Sequence, residues 1–178
     1  MYMRSFIEGT QIDLRPLTMD DVKEGYVNWF NDSAVCAFNR HHAFPYTEAL
    51  ARQYVEGLQT GNQNLVLAII DKASGRHIGN VSLQAIDWMS RNAEFAIILG
   101  EREWWGKGIG AEASKMMVEH GFKVLNLHRI YCFTPTANVP MRKIAERLGF
   151  EEEGIQKEAL YKDGMFHDVV AYGLINKQ

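Results

Sequence analysis

Residues 100–124 read GEREWWGKGIGAEASKMMVEHGFKV, and the organisation of the chain follows from this stretch. It opens as a loop with three alternate glycines, Gly106, Gly108 and Gly110, and continues as a helix. Glycine lets a backbone approach a ligand closely and adopt positive φ. The first N–H groups of a helix have no internal partner and carry partial positive charge. A glycine loop running into a helix therefore offers an anion several donors at once, and Lys107 adds a cation. Such loops also serve as plain tight turns, so the stretch needs support from elsewhere. It is not a P-loop, because Lys107 is followed by Gly108 rather than Ser or Thr. A dinucleotide fingerprint exists at Gly108, Gly110 and Ala113, but the connection from Leu99 to Gly108 is long for that turn. The following strand ends in Tyr131-Cys132-Phe133-Thr134, without the acid that would meet a ribose.

Working upstream, residues 91–99 (RNAEFAIIL), 77–87 (HIGNVSLQAID) and 64–71 (NLVLAIID) form a meander of strands, with a hairpin loop at 72–76. Two helices precede it. Residues 20–31 carry Val22, Tyr26, Trp29 and Phe30 at helical spacing, and Thr47 caps a helix that ends at Gly61. Residues 11–17 (QIDLRPL) alternate as a first strand, with Pro16 at its edge or end. Downstream, residues 128–134 (HRIYCFT) form a buried strand. Asn138 caps a helix over 140–148 that Gly149 ends, and residues 151–161 and 166–175 form a hairpin around Lys162-Asp163-Gly164. The order is β-α-α-β-β-β-α-β-α-β-β. The sheet is antiparallel where hairpins connect and parallel across the glycine-loop helix. Met116 and Met117 on that helix read as core packing.

Composition sets outer limits. The 178 residues suit one domain, 1–178, with 47% hydrophobic and 23% charged residues. A net charge of −3 argues against broad nucleic-acid or anionic-membrane partners. No run of about 18 apolar residues is present, and residues 1–12 do not read as a signal peptide. Cys36 and Cys132 lack metal spacing and read as buried thiols of a cytoplasmic protein. No metal is expected: adjacent His41 and His42 point apart, and no ligand set completes them.

Three blocks now name a family. The loop Trp105-Gly106-Lys107-Gly108-Ile109-Gly110 resembles the Arg/Gln-x-x-Gly-x-Gly/Ala pyrophosphate loop of the GNAT superfamily of acetyl-CoA-dependent N-acetyltransferases, with Trp105 at the Arg/Gln position. Together with Glu112-Ala113 it is similar to the branch that includes the ribosomal-protein N-terminal acetyltransferases. Asn138-x-x-Met141-x-x-Ile144-Ala145-Glu146-x-Leu148-Gly149-Phe150 resembles that branch's N-x-x-S-x-x-V-x-E-K-L-G-F. The third block is Gly154, then Lys162-Asp163-Gly164, Asp168 and Tyr172. A shorter likeness, over residues 26–32, is to acetyltransferases of nucleotide-linked amino sugars.

The resemblance implies an α/β fold with a mixed, mostly antiparallel sheet, flanked by helices and splayed between its central strands, residues 95–99 and 129–134. It implies that backbone groups of Ile97, Ile98 and Leu99 pair with the pantetheine arm of acetyl-CoA. The pyrophosphate would lie on N–H groups of Trp105, Gly106, Lys107, Gly108, Ile109, Gly110 and Ala111, and Asn138 would reach the pantetheine or sulfur end. Arg102, Lys107, Arg142 and Lys143 are the cations available for remaining phosphate charge, although each also reads as a solvated surface residue. Homodimers are common in the branch.

Acetyl transfer requires an amine that loses its proton, an oxyanion that is stabilised, and a sulfur that leaves. Glu94, between apolar residues on a central strand, is the chosen base, since desolvation raises a carboxyl; Asp87 is the reserve. A freed N–H near Ile97 or Ile98 would serve the oxyanion. The family's sulfur-protonating Tyr and Ser are replaced by Ala145 and Met141, which leaves Tyr131 or Tyr161, or unaided departure of the thiolate. Arg40, His41 and His42 read as an exposed loop or a contact for an anionic acceptor. The aromatics Tyr26, Trp29, Phe30, Phe38, Phe44 and Tyr46 read mainly as core, with one or two able to line an acceptor pocket. The acceptor is a primary amine of a protein N-terminus or a small molecule. The rival class is an acyl-CoA-binding module without catalysis.

Overall fold

The computed structural model describes residues 5–23 and 25–177. Residue 24, within the expected first helix, and residues 1–4, within the N-terminal stretch, lie outside them. The chain builds one eight-stranded sheet in the order β1-β2-β3-β4-β5-β6-β8-β7. The strands are β1 (Ile7–Glu8), β2 (Ile12–Pro16), β3 (Leu65–Asp71), β4 (His77–Asp87), β5 (Asn92–Leu99), β6 (Arg129–Pro135), β7 (Glu151–Lys162) and β8 (Met165–Ile175). The helices are α1 (Tyr26–Phe30), α2 (Glu48–Leu58), α3 (Ile109–Lys123) and α4 (Val139–Arg147). Every strand pair is antiparallel except β5 with β6, which the α3 crossover joins in parallel.

The expected first helix is two pieces, a 3-10 turn at Asp21–Lys23 and α1. Gly25, at φ 90°, sits in the left-handed region at the start of α1, where the chain turns rather than continuing its spiral. The short β1 pairs with β2 and escaped the sequence reading, because two residues carry no periodicity.

The sheet separates two apolar clusters. Alternate residues Ala93 and Phe95 of β5 face the larger one, with Ile109, Ala113 and Met117 of α3. Ile98 faces the other, with Tyr26, Trp29 and Phe30 of α1 and Ala51 and Val55 of α2. The 3-10 turn is anchored by a buried ion pair. Arg15 of β2 grips both carboxylate oxygens of Asp21, at 2.6 and 2.7 Å, while the Thr18 N–H and hydroxyl donate to the same carboxylate. Burial by itself would raise the Asp21 carboxyl, but Arg15, His77 and Thr18 outweigh it and hold the carboxyl below its ordinary value.

Candidate active site

β5 and β6 are in register only at Asn92–Arg129, Ala93–Ile130 and Glu94–Tyr131. Beyond that rung β5 continues to Leu99 against β4 alone, and β6 continues to Pro135 against β8 alone. The sheet therefore opens after Glu94, between the two strands the resemblance implies, although Arg129, Ile130 and Tyr131 are still paired with β5. Backbone groups on the facing edges of such a gap require partners, and an extended chain carrying amides supplies them as a strand would.

At the end of β5 the chain makes a 3-10 turn, Arg102–Trp104, and then the glycine loop. Gly106 (φ 75°) and Gly108 (φ 83°) are both left-handed, and a Cβ built on either meets nothing within 4 Å. Both positions therefore face open space rather than packed protein. Gly108 caps α3, so the N–H groups of Ile109, Gly110 and Ala111 open the helix without intrahelical acceptors. Loop and gap together fit a pyrophosphate that carries an amide-bearing arm.

The predicted site residues fall in different places. Trp105, at the Arg/Gln position, donates its indole N–H to the Leu99 carbonyl at 2.9 Å, folding the loop back onto β5. Lys107 lies 5.8 Å from the centroid of the Trp104 ring, whose neighbour at 4.7 Å is Arg76. The Arg102 guanidinium is bonded to Asp32. Arg142 donates to the Tyr172 hydroxyl and the Thr136 carbonyl, at 3.1 and 3.3 Å, while Lys143 is exposed on α4. Asn138 accepts from the Met141 N–H, as the sequence reading of it as a cap requires, and donates to Thr134 at 2.9 Å.

Glu94 alternates with Ile98 and so belongs to the α1–α2 face of the sheet, on the last paired rung. Among the described residues its carboxylate has no hydrogen-bond partner, and burial raises its pKa. Tyr131 stands opposite, its phenol also raised by burial and by the Glu94 charge. The reserve base, Asp87, is instead a turn residue. It accepts from Met89 and Ser90 N–H groups and from the Ser90 hydroxyl, bonds that hold it below its ordinary value and leave it ionised but weakly basic. Ala145 is buried and offers no proton, and Tyr161 packs at a tilt against Phe166 at the exposed hairpin end.

Two features escaped the sequence reading because their partners are remote. Glu112 receives the Thr10 and Gln11 backbone N–H groups and the Gln11 amide, tying α3 to the β1–β2 turn. Loop 31–46 crosses to the β7–β8 turn, where Lys162 donates to the His41 carbonyl at 2.9 Å. Among the described residues no cluster of His, Cys, Asp or Glu is placed to hold a metal, and no helix is long and apolar enough to cross a membrane.

A mixed sheet opened at its parallel pair, with a glycine loop and helix N-terminus at the opening, defines an acyl-CoA-type transferase. Comparison with known proteins gives the family. The model described as "Acetyltransferase (GNAT) domain" matches residues 11–151. The chain belongs to this family and is an acetyl-CoA-dependent N-acetyltransferase. It is 29% identical over 143 residues to spermidine N(1)-acetyltransferase of Escherichia coli, covering 80% of this chain and 74% of that protein. The structure of spermidine N-acetyltransferase from Vibrio cholerae in complex with CoA and spermine superposes with a TM-score of 0.85, at 26% identity, over 93% of this chain and 95% of the other. That of ribosomal-protein-S5-alanine acetyltransferase from Vibrio fischeri gives 0.84 at 28% identity, over 98% of each chain.

Proposed function

We propose that the protein transfers the acetyl group of acetyl-CoA directly to a primary amine, with Glu94 as the base. The observation that carries this reading is the position of Glu94: half-buried, raised in pKa, without a hydrogen-bond partner among the described residues, on the last rung before the sheet opens. The amine nitrogen attacks the thioester carbon as its proton passes to Glu94, directly or through a water. A β5 N–H near Ile97 or Ile98 steadies the oxyanion. The carbon–sulfur bond then breaks and the sulfur departs as thiolate, protonated by solvent; a free thiol has a pKa of about 8.5, so departure needs little help.

Backbone groups of Ile97, Ile98 and Leu99 hold the pantetheine arm, and the N–H groups of residues 105–111 hold the pyrophosphate. Lys107 and Lys143 supply cationic charge. Arg102 and Arg142 join them only by leaving their present partners, and Asn138 only by leaving its cap.

The acceptor is a polyamine-like small amine, an amino sugar or a protein N-terminus. The relatives named above, which act on spermidine and on a ribosomal protein, support the first and last. The composition and the resemblance support the rest of the reading: residues 1–178 as one cytoplasmic, metal-independent acetyltransferase domain, without nucleic-acid or membrane partners and with a homodimer admissible. The test is release of free CoA thiol from acetyl-CoA with spermidine, short peptides, amino sugars and aminoglycosides. Turnover with one class, abolished in Glu94→Gln, is the expected result. Undiminished turnover in Glu94→Gln across pH would remove Glu94 as base.

A further inference from the structure

Beyond the buried Cys36 thiol on the Trp29 carbonyl and the His41 ring against Phe30, loop 31–46 has three polar fastenings. At its base the Asn31 amide donates to the Tyr46 carbonyl at 2.7 Å and receives the Tyr46 N–H at 2.9 Å, closing the loop on itself. At its far side the His41 carbonyl takes Lys162 from the β7–β8 hairpin. Beside the base, Asp32 takes Arg102 from the 3-10 turn that leads into the glycine loop. β5 runs into that turn, while the hairpin belongs to the half of the sheet beyond β6. The loop therefore straps one side of the opened sheet to the other.

Asp32 is the joint. Its Oδ1 also accepts the Ala34 and Val35 N–H groups at 2.8 and 3.3 Å, so one carboxylate shapes the start of the strap and grips the cofactor-side turn. The surrounding contacts make that turn a stiff base. A Cβ on Gly100 would lie 1.9 Å from the Trp29 indole. The Trp29 N–H donates to Glu101 at 3.0 Å, and Arg76 bridges Glu101 and Glu103 at 2.8 and 2.6 Å. Arg102 and Asp32 remain partly exposed, so their bond can break and re-form.

We propose that Asp32 is a positioning residue which, through Arg102, couples occupancy of the cofactor loop to order in the strap and so to binding of the amine. This rests on the reading of residues 105–111 as the cofactor loop. A ligand that stiffens one segment lowers the ordering cost for a second ligand bound by a joined segment. An exposed ion pair supplies up to about fivefold in such an equilibrium.

The experiment is hydrogen exchange of the full chain with and without saturating CoA, in wild type, Asp32→Asn, Arg102→Gln and the double variant. Asparagine keeps an oxygen for the Ala34 and Val35 N–H groups and loses only the charge. In wild type CoA slows exchange in residues 105–111 and in residues 31–46. At saturating CoA the first effect stays in Asp32→Asn while the second shrinks by about three- to fivefold; Arg102→Gln, which also removes a cation from the cofactor side and so lowers CoA affinity, shows the same loss in the strap once saturated, and the double variant goes no further in the strap. Once an acceptor is known, its KM in Asp32→Asn rises by the same factor while kcat holds. Protection confined to residues 105–111 in wild type, or strap protection that survives both single variants, overturns the coupling alone. No protection at residues 105–111 overturns the cofactor-loop reading, and the coupling with it.

Discussion

Glu94 is the proposed base, and its surroundings set the chemistry open to it. Its neighbours on β5 are apolar, its rung is the last before the gap, and burial disfavours its charged form. A carboxyl raised in this way is a better proton acceptor than Asp87, whose three hydrogen bonds favour the anion. A base must be deprotonated to work. The acid limb of kcat/KM therefore lies above the ordinary glutamate range, with activity rising as pH rises through it. In Glu94→Gln this limb disappears and kcat falls about 10²- to 10⁴-fold, while calorimetry finds acetyl-CoA binding unchanged. Gly108 makes a complementary case. Its φ of 83° disfavours a β-branched side chain, yet the space around it is open. Gly108→Val is expected to cost about 1–2 kcal/mol of stability in denaturant titration and to abolish acetyl-CoA binding in the same calorimetric assay. Wild-type affinity in this variant would refute the loop assignment.

Among the elements, the 3-10 turn at Asp21–Lys23 depends on a charge that lacks solvent. Removing Arg15 leaves Asp21 buried without its strongest partner, so Arg15→Ala should lose about 3 kcal/mol in urea unfolding. The sign of the pH effect follows from the lowered carboxyl. Its stabilisation is complete above the unfolded value, about 3.9, and is lost as pH falls through the folded one. Wild type should lose more stability than Arg15→Ala over that acid window. Local chemistry was readable along the sequence. Asn138 and Thr47 cap the helices assigned to them, and Lys162-Asp163-Gly164 marks the hairpin turn. Gly25 carried a signal that helical spacing on both sides concealed, and β1 was too short to carry one. What stayed hidden is pairing across distance. Nothing near Glu112 in sequence points to Thr10, and nothing near Arg102 points to Asp32, because side-chain partners 102 and 70 residues apart are chosen by the fold.

At the scale of the molecule, the sheet opens at its parallel pair, and both cysteines are buried. Cys36 and Cys132 are buried free thiols; burial raises Cys36 and pushes Cys132 up to about 12, with the Glu94 charge adding to it. Native protein should react with a thiol reagent only as fast as it unfolds, which keeps the background low when CoA release is followed by the same reagent. Rapid reaction of either cysteine would mean a more open core. The central proposal is that acetyl-CoA lies between β5 and β6 with its pyrophosphate on the glycine loop. The most direct measurement is an acetyl-CoA titration followed by backbone amide chemical shifts. The largest shifts are expected at residues 97–99 and 105–111, with smaller ones at residues 31–46. Saturable binding that leaves residues 105–111 unmoved would contradict the proposal.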